Sequence, residues 1–314
     1  MKFSTDILQQ CWFLAGPTAC GKTSSALLLA KELGAEIVSL DSMAIYRQMD
    51  IGTAKPTIKE QRMVPHHVID IIEPYAEYSL AEYLQAAEQA CRGILNRQHI
   101  PLFVGGTGLY LRGVLRGLFT GPPADSEFRQ QLEATAAQHD AMYLYHQLVE
   151  VDRPAAEKLH PNDHRRLIRA LEVFHLTGQP FSQQQRQQPL PVHEQSQHVF
   201  WISPPRDWLH ERINRRVVEM FANGLVDEVS QLLSAAQPLS QSARQALGYK
   251  ELIDVLETDA DPACAIPIIQ TRTRQFAKRQ HTWFRNLEEC HPIEITGKEC
   301  TTELVDRILM ARKS

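Results

Sequence analysis

Gly16-Pro17-Thr18-Ala19-Cys20-Gly21-Lys22-Thr23 satisfies every specified position of the pattern G-x-x-x-x-G-K-S/T. Backbone N–H groups of such a loop wrap a phosphate chain at a helix N-terminus. Lys22 adds a point charge, and the Thr23 hydroxyl can ligate Mg²⁺. The loop demands a strand before it and a helix after it. Cys11-Trp12-Phe13-Leu14-Ala15 is a short apolar run, and Ser24 to Glu32 is rich in Ala and Leu, so both flanks are present. The motif predicts polyphosphate binding and does not choose among kinases, GTPases and other transferases.

Two further strands are expected at Ala35–Leu40, ending at Asp41, and at Ile100–Val104, closed by Gly105-Gly106. A helical stretch from Leu80 to Asn96 separates them. Short apolar strands alternating with helices imply a parallel sheet covered on both faces. The predicted fold class is therefore α/β, a P-loop NTPase-like core with flanking helices. Ligands in such sheets sit beyond the carboxyl ends of the strands, where the phosphate loop, Asp41 and the Gly105 loop all fall. After Gly121-Pro122-Pro123 the rhythm turns helical, as at Leu167, Ala170, Leu171 and Phe174. A Gln- and Pro-rich stretch, Gln183 to Pro191, reads as a flexible connector, and His198–Ile202 as a strand returning to the sheet. The organisation expected is a core in two parts, residues 1–122 and 198–314, interrupted by a helical insertion at 123–197. The chain beyond Arg206 reads as largely helical.

Composition removes several classes. With 43% hydrophobic and 22% charged residues the chain is neither disordered nor collagen-like. No apolar run approaches the roughly 18 residues of a membrane span. The N-terminus lacks a signal peptide's apolar region, so a cytoplasmic protein without membrane contact is expected; a monomer is the expected oligomeric state. A formal charge of −4 argues against nonspecific coating of nucleic acid. The six cysteines form no C-x-x-C and are expected to be reduced thiols.

Asp41-Ser42 could hold a substrate or base residue, or simply cap a turn. Gly105-Gly106-Thr107-Gly108-Leu109-Tyr110 could bring backbone and the Thr107 hydroxyl against a phosphate, or form a tight strand-to-helix turn. A Walker B strand end and an arginine-rich lid, both expected of a kinase, are missing.

Taken in order, these and further motifs resemble the tRNA dimethylallyltransferases. The resemblance rests on the phosphate loop, Asp41-Ser42-Met43, Ile51-Gly52-Thr53-Ala54-Lys55-Pro56, Val64-Pro65-His66-His67 and Val104 through Tyr110. Pro161-Asn162-Asp163, Arg169-Ala170-Leu171-Glu172, Gly248-Tyr249-Lys250-Glu251 and Thr271-Arg272 through Arg285 extend it to about residue 286. The eukaryotic relatives' C-terminal zinc finger is not seen, which favours the bacterial type.

The resemblance implies transfer of a dimethylallyl group from dimethylallyl diphosphate to N6 of adenosine 37 in tRNA, with diphosphate leaving and Mg²⁺ as cofactor. Asp41 matches the family's general base. Thr107 and, by register, Arg216 match donors to the leaving diphosphate, which Gly16, Pro17, Thr18, Ala19, Cys20, Gly21, Lys22 and Thr23 would cradle. tRNA contacts correspond to Asp41, Ser42, Met43 and Ala44, and to Arg165, Arg166, Leu167, Ile168 and Arg169. Many relatives carry Gln where Ala44 and Arg165 stand, which bears on how the anticodon loop is read and leaves the chemistry unaltered.

Local charge fits an RNA partner. From Ile266 to Asn286 there are five Lys/Arg and no acid. Arg274, Lys278, His281 and Arg285 share a helical face, with Arg279 beside them, and Phe276 and Trp283 lie roughly opposite as expected anchors. The adjacent His66 and His67 could suggest a metal, but they point apart on a helix or a strand and are assigned to packing or substrate-channel structure rather than ligation. Three other readings stand beside the first: prenyl transfer to a free adenine nucleotide, a P-loop nucleotide kinase, and an RNA-binding GTPase-like switch. The last lacks an N/T-K-x-D guanine signature.

Overall fold

Strands form at β1 (Trp12–Ala15), β2 (Ala35–Leu40), β3 (His66–His67), β4 (Ile100–Gly105), β5 (Val199–Ser203) and β6 (His291–Glu294). The computed structural model describes residues 2–119, 121–184, 188–258 and 260–311. The six strands make one sheet in the order β3-β2-β4-β1-β5-β6, parallel throughout. Every residue of β1, β2 and β5 is buried, which is why each reads as a near-continuous apolar run. The helices Lys22–Leu33, Leu80–Asn96, Gly108–Arg116, Arg206–Ala222, Ala265–Arg285 and Thr301–Ala311 belong to the same unit as the sheet. Leu80–Asn96 starts at a capping box, in which Ser79 and Glu82 exchange side-chain and backbone hydrogen bonds.

Two strands escaped the sequence reading. β3 is only His66-His67, and β6 is a short strand in a stretch past Arg206 that is, as expected, largely helical. In β6 a single side chain, Ile293, faces the core, and Pro292 sits where an edge strand tolerates it. Neither carries an apolar run.

Glu36 is the charged exception in β2, only 2% exposed and at the strand end away from the phosphate loop. Its carboxylate accepts from Arg97 at 2.7 and 2.9 Å and is paired with His67 at 2.6 Å and His99 at 2.7 Å. The Arg97 guanidinium, with help from both histidines, holds the carboxyl at about 2 rather than 4.5, against the opposing effect of burial. A carboxyl depressed on folding gives stability that is complete above its ordinary value and lost as pH falls toward the folded value. Glu36→Gln is expected to cost about 3 kcal/mol in urea unfolding at neutral pH, the low end for breaking a buried pair because Arg97 and His99 reach solvent. It should also flatten the decline in stability expected of the native chain between about pH 5 and pH 2. An unchanged acid limb would reassign that decline to other carboxylates.

The second compact unit spans Gly117–Gln188. Its helices Ser126–Ala136, Tyr143–Ala156 and His164–Thr177 close over a core that includes Leu144, Leu148, Leu167, Ile168 and Leu171. The buried Glu172 organises one end: it accepts from Arg129 at 2.7 and 2.8 Å and from the Asp125 N–H at 2.7 Å, and pairs with Arg169. The connector expected at Gln183 to Pro191 falls partly outside the described residues.

Candidate active site

Ala15, Leu40 and Gly105 pair in register, so β1, β2 and β4 end level with one another. The three loops that leave them begin from one edge. Gly105 permits this closeness, since a Cβ there would lie 2.2 Å from the Leu40 carbonyl oxygen. Gly16 and Gly21 take φ of +153° and +95°, turning the phosphate loop so that the Lys22–Leu33 helix starts immediately after it. Pro17, Thr18, Ala19 and Cys20 form the arc between them. Lys22 Nζ donates to the Pro17 carbonyl at 2.7 Å and lies 3.9 Å from Cys20 Sγ, closing the loop on itself.

Asp41 follows β2. Its Oδ1 accepts from the N–H of Met43 at 2.8 Å and of Ala44 at 3.4 Å, a turn that aims the short Asp41–Ala44 segment. Oδ2 takes no hydrogen bond among the described residues. Ser42 N–H donates to Thr107 Oγ1 at 3.1 Å, and Thr107 N–H to the Leu40 carbonyl at 3.1 Å. The Thr107 hydroxyl in turn donates to Ser42 Oγ in a long 3.4 Å contact, so the loops after β2 and β4 are tied together and the hydroxyl is held in place by Ser42.

Arg216 comes from the Arg206–Ala222 helix, and its Nη1 lies 3.4 Å from Thr18 Oγ1. Its neighbour Arg215 is exposed and pairs with Glu219 at 3.8 Å, so the helix register selects Arg216. Arg212, one turn earlier, donates to the Ala19 carbonyl at 2.8 Å and stacks over Trp208. The sequence reading missed Arg212, because a single arginine on a long amphipathic helix carries no local signal. Arg216 also lines a cavity of about 490 Å³ with Ile51, Ala54, Lys55, Pro56 and Met220 among others.

Burial pushes Lys22 and Arg216 below their ordinary values; the Arg216 charge adds to the lowering at Lys22 and the Arg212 charge to that at Arg216, while Asp41 and Cys20 act the other way on both. Neither Lys22 nor Arg216 forms an ion pair among the described residues. Two desolvated cations with one nearby carboxylate leave an excess of positive charge that a polyanion would neutralise.

Among the described residues no group of three or more His, Cys, Asp or Glu could hold a metal ion. The Thr23 hydroxyl, partly exposed and without a hydrogen bond among the described residues, is the available oxygen in the loop. One hydroxyl beside a phosphate cradle fits Mg²⁺, which keeps water ligands and binds through substrate phosphates rather than an all-protein cage.

On the Ala265–Arg285 helix, Lys278, Arg279 and Arg285 are exposed. Two expectations are corrected. Arg274 is drawn to Asn214 Oδ1 and Thr271 Oγ1, and His281 sits edge-on to Trp201, because the Arg206–Ala222 helix and β5 pack along that side. The helix is anchored by Ile269, Ala277, Gln280 and Phe284 and by the half-buried Trp283, which packs over Gly108; Phe276 is also half-buried. In the helical unit Arg165 and Arg166 are exposed, Leu167 and Ile168 are core residues, and Arg169 is committed to Glu172 and the Pro122 carbonyl.

A family model described as IPP transferase matches residues 44–287, and one described as isopentenyl transferase matches residues 9–68. A tRNA dimethylallyltransferase of Rhodopirellula baltica is 46% identical over 284 residues, covering 88% of this chain and 85% of the relative. Its counterpart from Halothermothrix orenii is 45% identical, covering 87% and 83%. The crystal structure of a full-length tRNA isopentenylpyrophosphate transferase from Bacillus halodurans aligns with a TM-score of 0.70 at 37% identity, over 97% of each chain. A eukaryotic dimethylallyltransferase acting on tRNA aligns at 0.73 and 28% identity, over 91% of this chain and 74% of the other. The parallel sheet, the phosphate loop at its edge and these likenesses agree on one P-loop NTPase-like architecture, and the chain belongs to the tRNA dimethylallyltransferase, or IPP transferase, family.

Proposed function

We propose that this chain transfers a dimethylallyl group from dimethylallyl diphosphate to N6 of adenosine 37 in tRNA, releasing diphosphate. One observation carries the reading: a phosphate loop with two cations lacking acid partners lies beside an aspartate with an uncommitted carboxylate oxygen. An exocyclic adenine amine is a weak nucleophile because its lone pair is delocalised into the ring. As N6 bonds to the allylic C1 of the donor, the C1–O bond breaks and its electron pair leaves with the diphosphate. Asp41 Oδ2 takes the proton from N6. The backbone N–H groups of residues 16–23, Lys22, the Thr107 hydroxyl and Arg216 meet the charge that develops on the leaving group. Mg²⁺ held by Thr23 and diphosphate oxygens would neutralise the remainder.

A stacked base cannot reach a donor held at strand ends, so the adenine leaves the anticodon loop to react. The Asp41-Ser42-Met43-Ala44 segment receives it, while exposed Arg165, Arg166, Lys278 and Arg279 contact RNA. Leu167, Ile168 and Arg169 hold the helix that presents the first two. Lys278→Ala should weaken tRNA binding and reduce the slope of log affinity against log salt by about 0.7, one phosphate contact on a single strand. An identical slope would return that face to solvent.

No helix among the described residues is long and apolar enough to cross a membrane. The chain is taken to act in the cytoplasm as a monomer, which sedimentation of the purified protein tests. The decisive experiment is mass spectrometry of unmodified tRNA after incubation with the protein, dimethylallyl diphosphate and Mg²⁺. A dimethylallyl mass gain at adenosine 37 is expected. Prenylated free nucleotide instead, or ATP-dependent phosphorylation, would overturn the reading.

A further inference from the structure

The inward face of the Ala265–Arg285 helix is apolar at Ala265, Ile269, Ala277 and Phe284, and polar at one position, Gln280. Gln280 is 5% exposed. Burying an amide is costly unless both of its ends are paired. Here both are. Gln280 Oε1 accepts from the Thr18 N–H at 2.9 Å, and Nε2 donates to the Gly106 carbonyl at 2.8 Å. The two partners lie on different loops. Thr18 is in the phosphate loop after β1, and Gly106 precedes Thr107 in the loop after β4.

The surroundings are built around this amide. A Cβ on Gly106 would lie 2.2 Å from Gln280 Nε2 and 3.2 Å from the Gly16 carbonyl oxygen, so a side chain there would expel the glutamine. Thr18 is the same residue whose hydroxyl meets Arg216. One side chain therefore spans the loop that cradles a diphosphate and the loop that supplies a hydroxyl to it. A nonpolar residue of equal volume would pack as well with Ala277 and Phe284. The amide is needed for the two loops.

We propose that Gln280 is a positioning residue for prenyl transfer: its amide sets the spacing between the phosphate loop and the Thr107 loop, so that donors from both meet the leaving diphosphate together. The proposal rests on the prenyl-transfer reading above. A mis-spaced pair of loops still binds the donor through the phosphate loop and loses stabilisation of charge as it develops. The deficit falls on kcat more than on donor KM.

The test uses two variants of the full chain. Gln280→Met keeps the volume and removes both hydrogen bonds. It should lower kcat by about ten- to a hundredfold, the effect of two hydrogen bonds of ordinary net strength, with a smaller change in donor KM and unchanged tRNA affinity. Gln280→Glu keeps an acceptor for the Thr18 N–H but, when ionised, cannot donate to Gly106. A protonated carboxyl has the amide's donor and acceptor pattern, and burial favours that form. The ratio of variant to wild-type kcat should therefore rise as pH is lowered from 8 to about 6, while the corresponding ratio for Gln280→Met stays flat.

Wild-type kcat in a folded Gln280→Met, or a Gln280→Glu ratio that ignores pH, would overturn the proposal. So would a fall in tRNA affinity equal to the fall in kcat. Circular dichroism reports folding, and if Gln280→Met does not fold the Gln280→Glu ratio decides alone. A wild-type protein that prenylates no tRNA overturns the function reading instead, which keeps the two failures distinct.

Discussion

Asp41→Asn is expected to lower kcat for tRNA prenylation by about 10²–10⁴-fold, the usual cost of losing a positioned base, and to leave tRNA binding intact. The asparagine carbonyl can keep the bonds that Oδ1 accepts from the Met43 and Ala44 N–H groups, so the turn survives. What is lost is the carboxylate oxygen that takes no hydrogen bond among the described residues, and with it the capacity to accept a proton from N6. Single-turnover transfer of labelled donor to tRNA measures the step without interference from product release. Wild-type turnover in this variant would remove Asp41 from the chemistry and leave it a turn-former.

Lys22→Ala should act on the other reactant, lowering kcat/KM for the donor by about 10²–10³-fold with tRNA affinity unchanged. The ammonium closes the phosphate loop through the Pro17 carbonyl and is the first charge the diphosphate would meet. Lys22→Arg should not restore activity, because a planar fork does not fit a space shaped for a compact point charge. The same residue gives a pH signature. Burial, and then the Arg216 charge, lower its proton affinity, so the apo protein loses this cation at lower pH than a free lysine would. Donor affinity should fall on the alkaline side accordingly, and calorimetry with dimethylallyl diphosphate across pH reads it. A flat alkaline limb, or an Ala variant with normal donor affinity, would move the diphosphate elsewhere.

Much of the core was readable because its signals are local. β1, β2, β4 and β5 are apolar runs in a sheet buried on both faces, and the phosphate loop is a contiguous pattern. β3 and β6 were not readable, since two histidines in one and a lone buried isoleucine in the other carry no periodicity. Within the site, Asp41 and Thr107 announce themselves by following strands directly. Arg212 and Gln280 do not, because their partners, Ala19 and Gly106, are far away in sequence. The basic helix shows the same limit. Helical periodicity groups Arg274 and His281 with Lys278, and only the position of the Arg206–Ala222 helix and β5 reveals that the first two are occupied. Arg169 likewise reads as a third exposed arginine until Glu172 is found beneath it.

Arg216 and Gln280 reach the phosphate loop across 198 and 262 residues of chain. On a ribosome, the loop motif emerges long before either side chain exists. Contacts of such separation form late and slow folding, so the nascent N-terminal part carries a complete phosphate-binding signature without the groups that finish it. A chain broken off before the Arg206–Ala222 helix, which lacks both side chains, should therefore bind donor poorly and transfer nothing. On the proposed function, the order in which the molecule is made would then delay capture of dimethylallyl diphosphate until the later helices have folded.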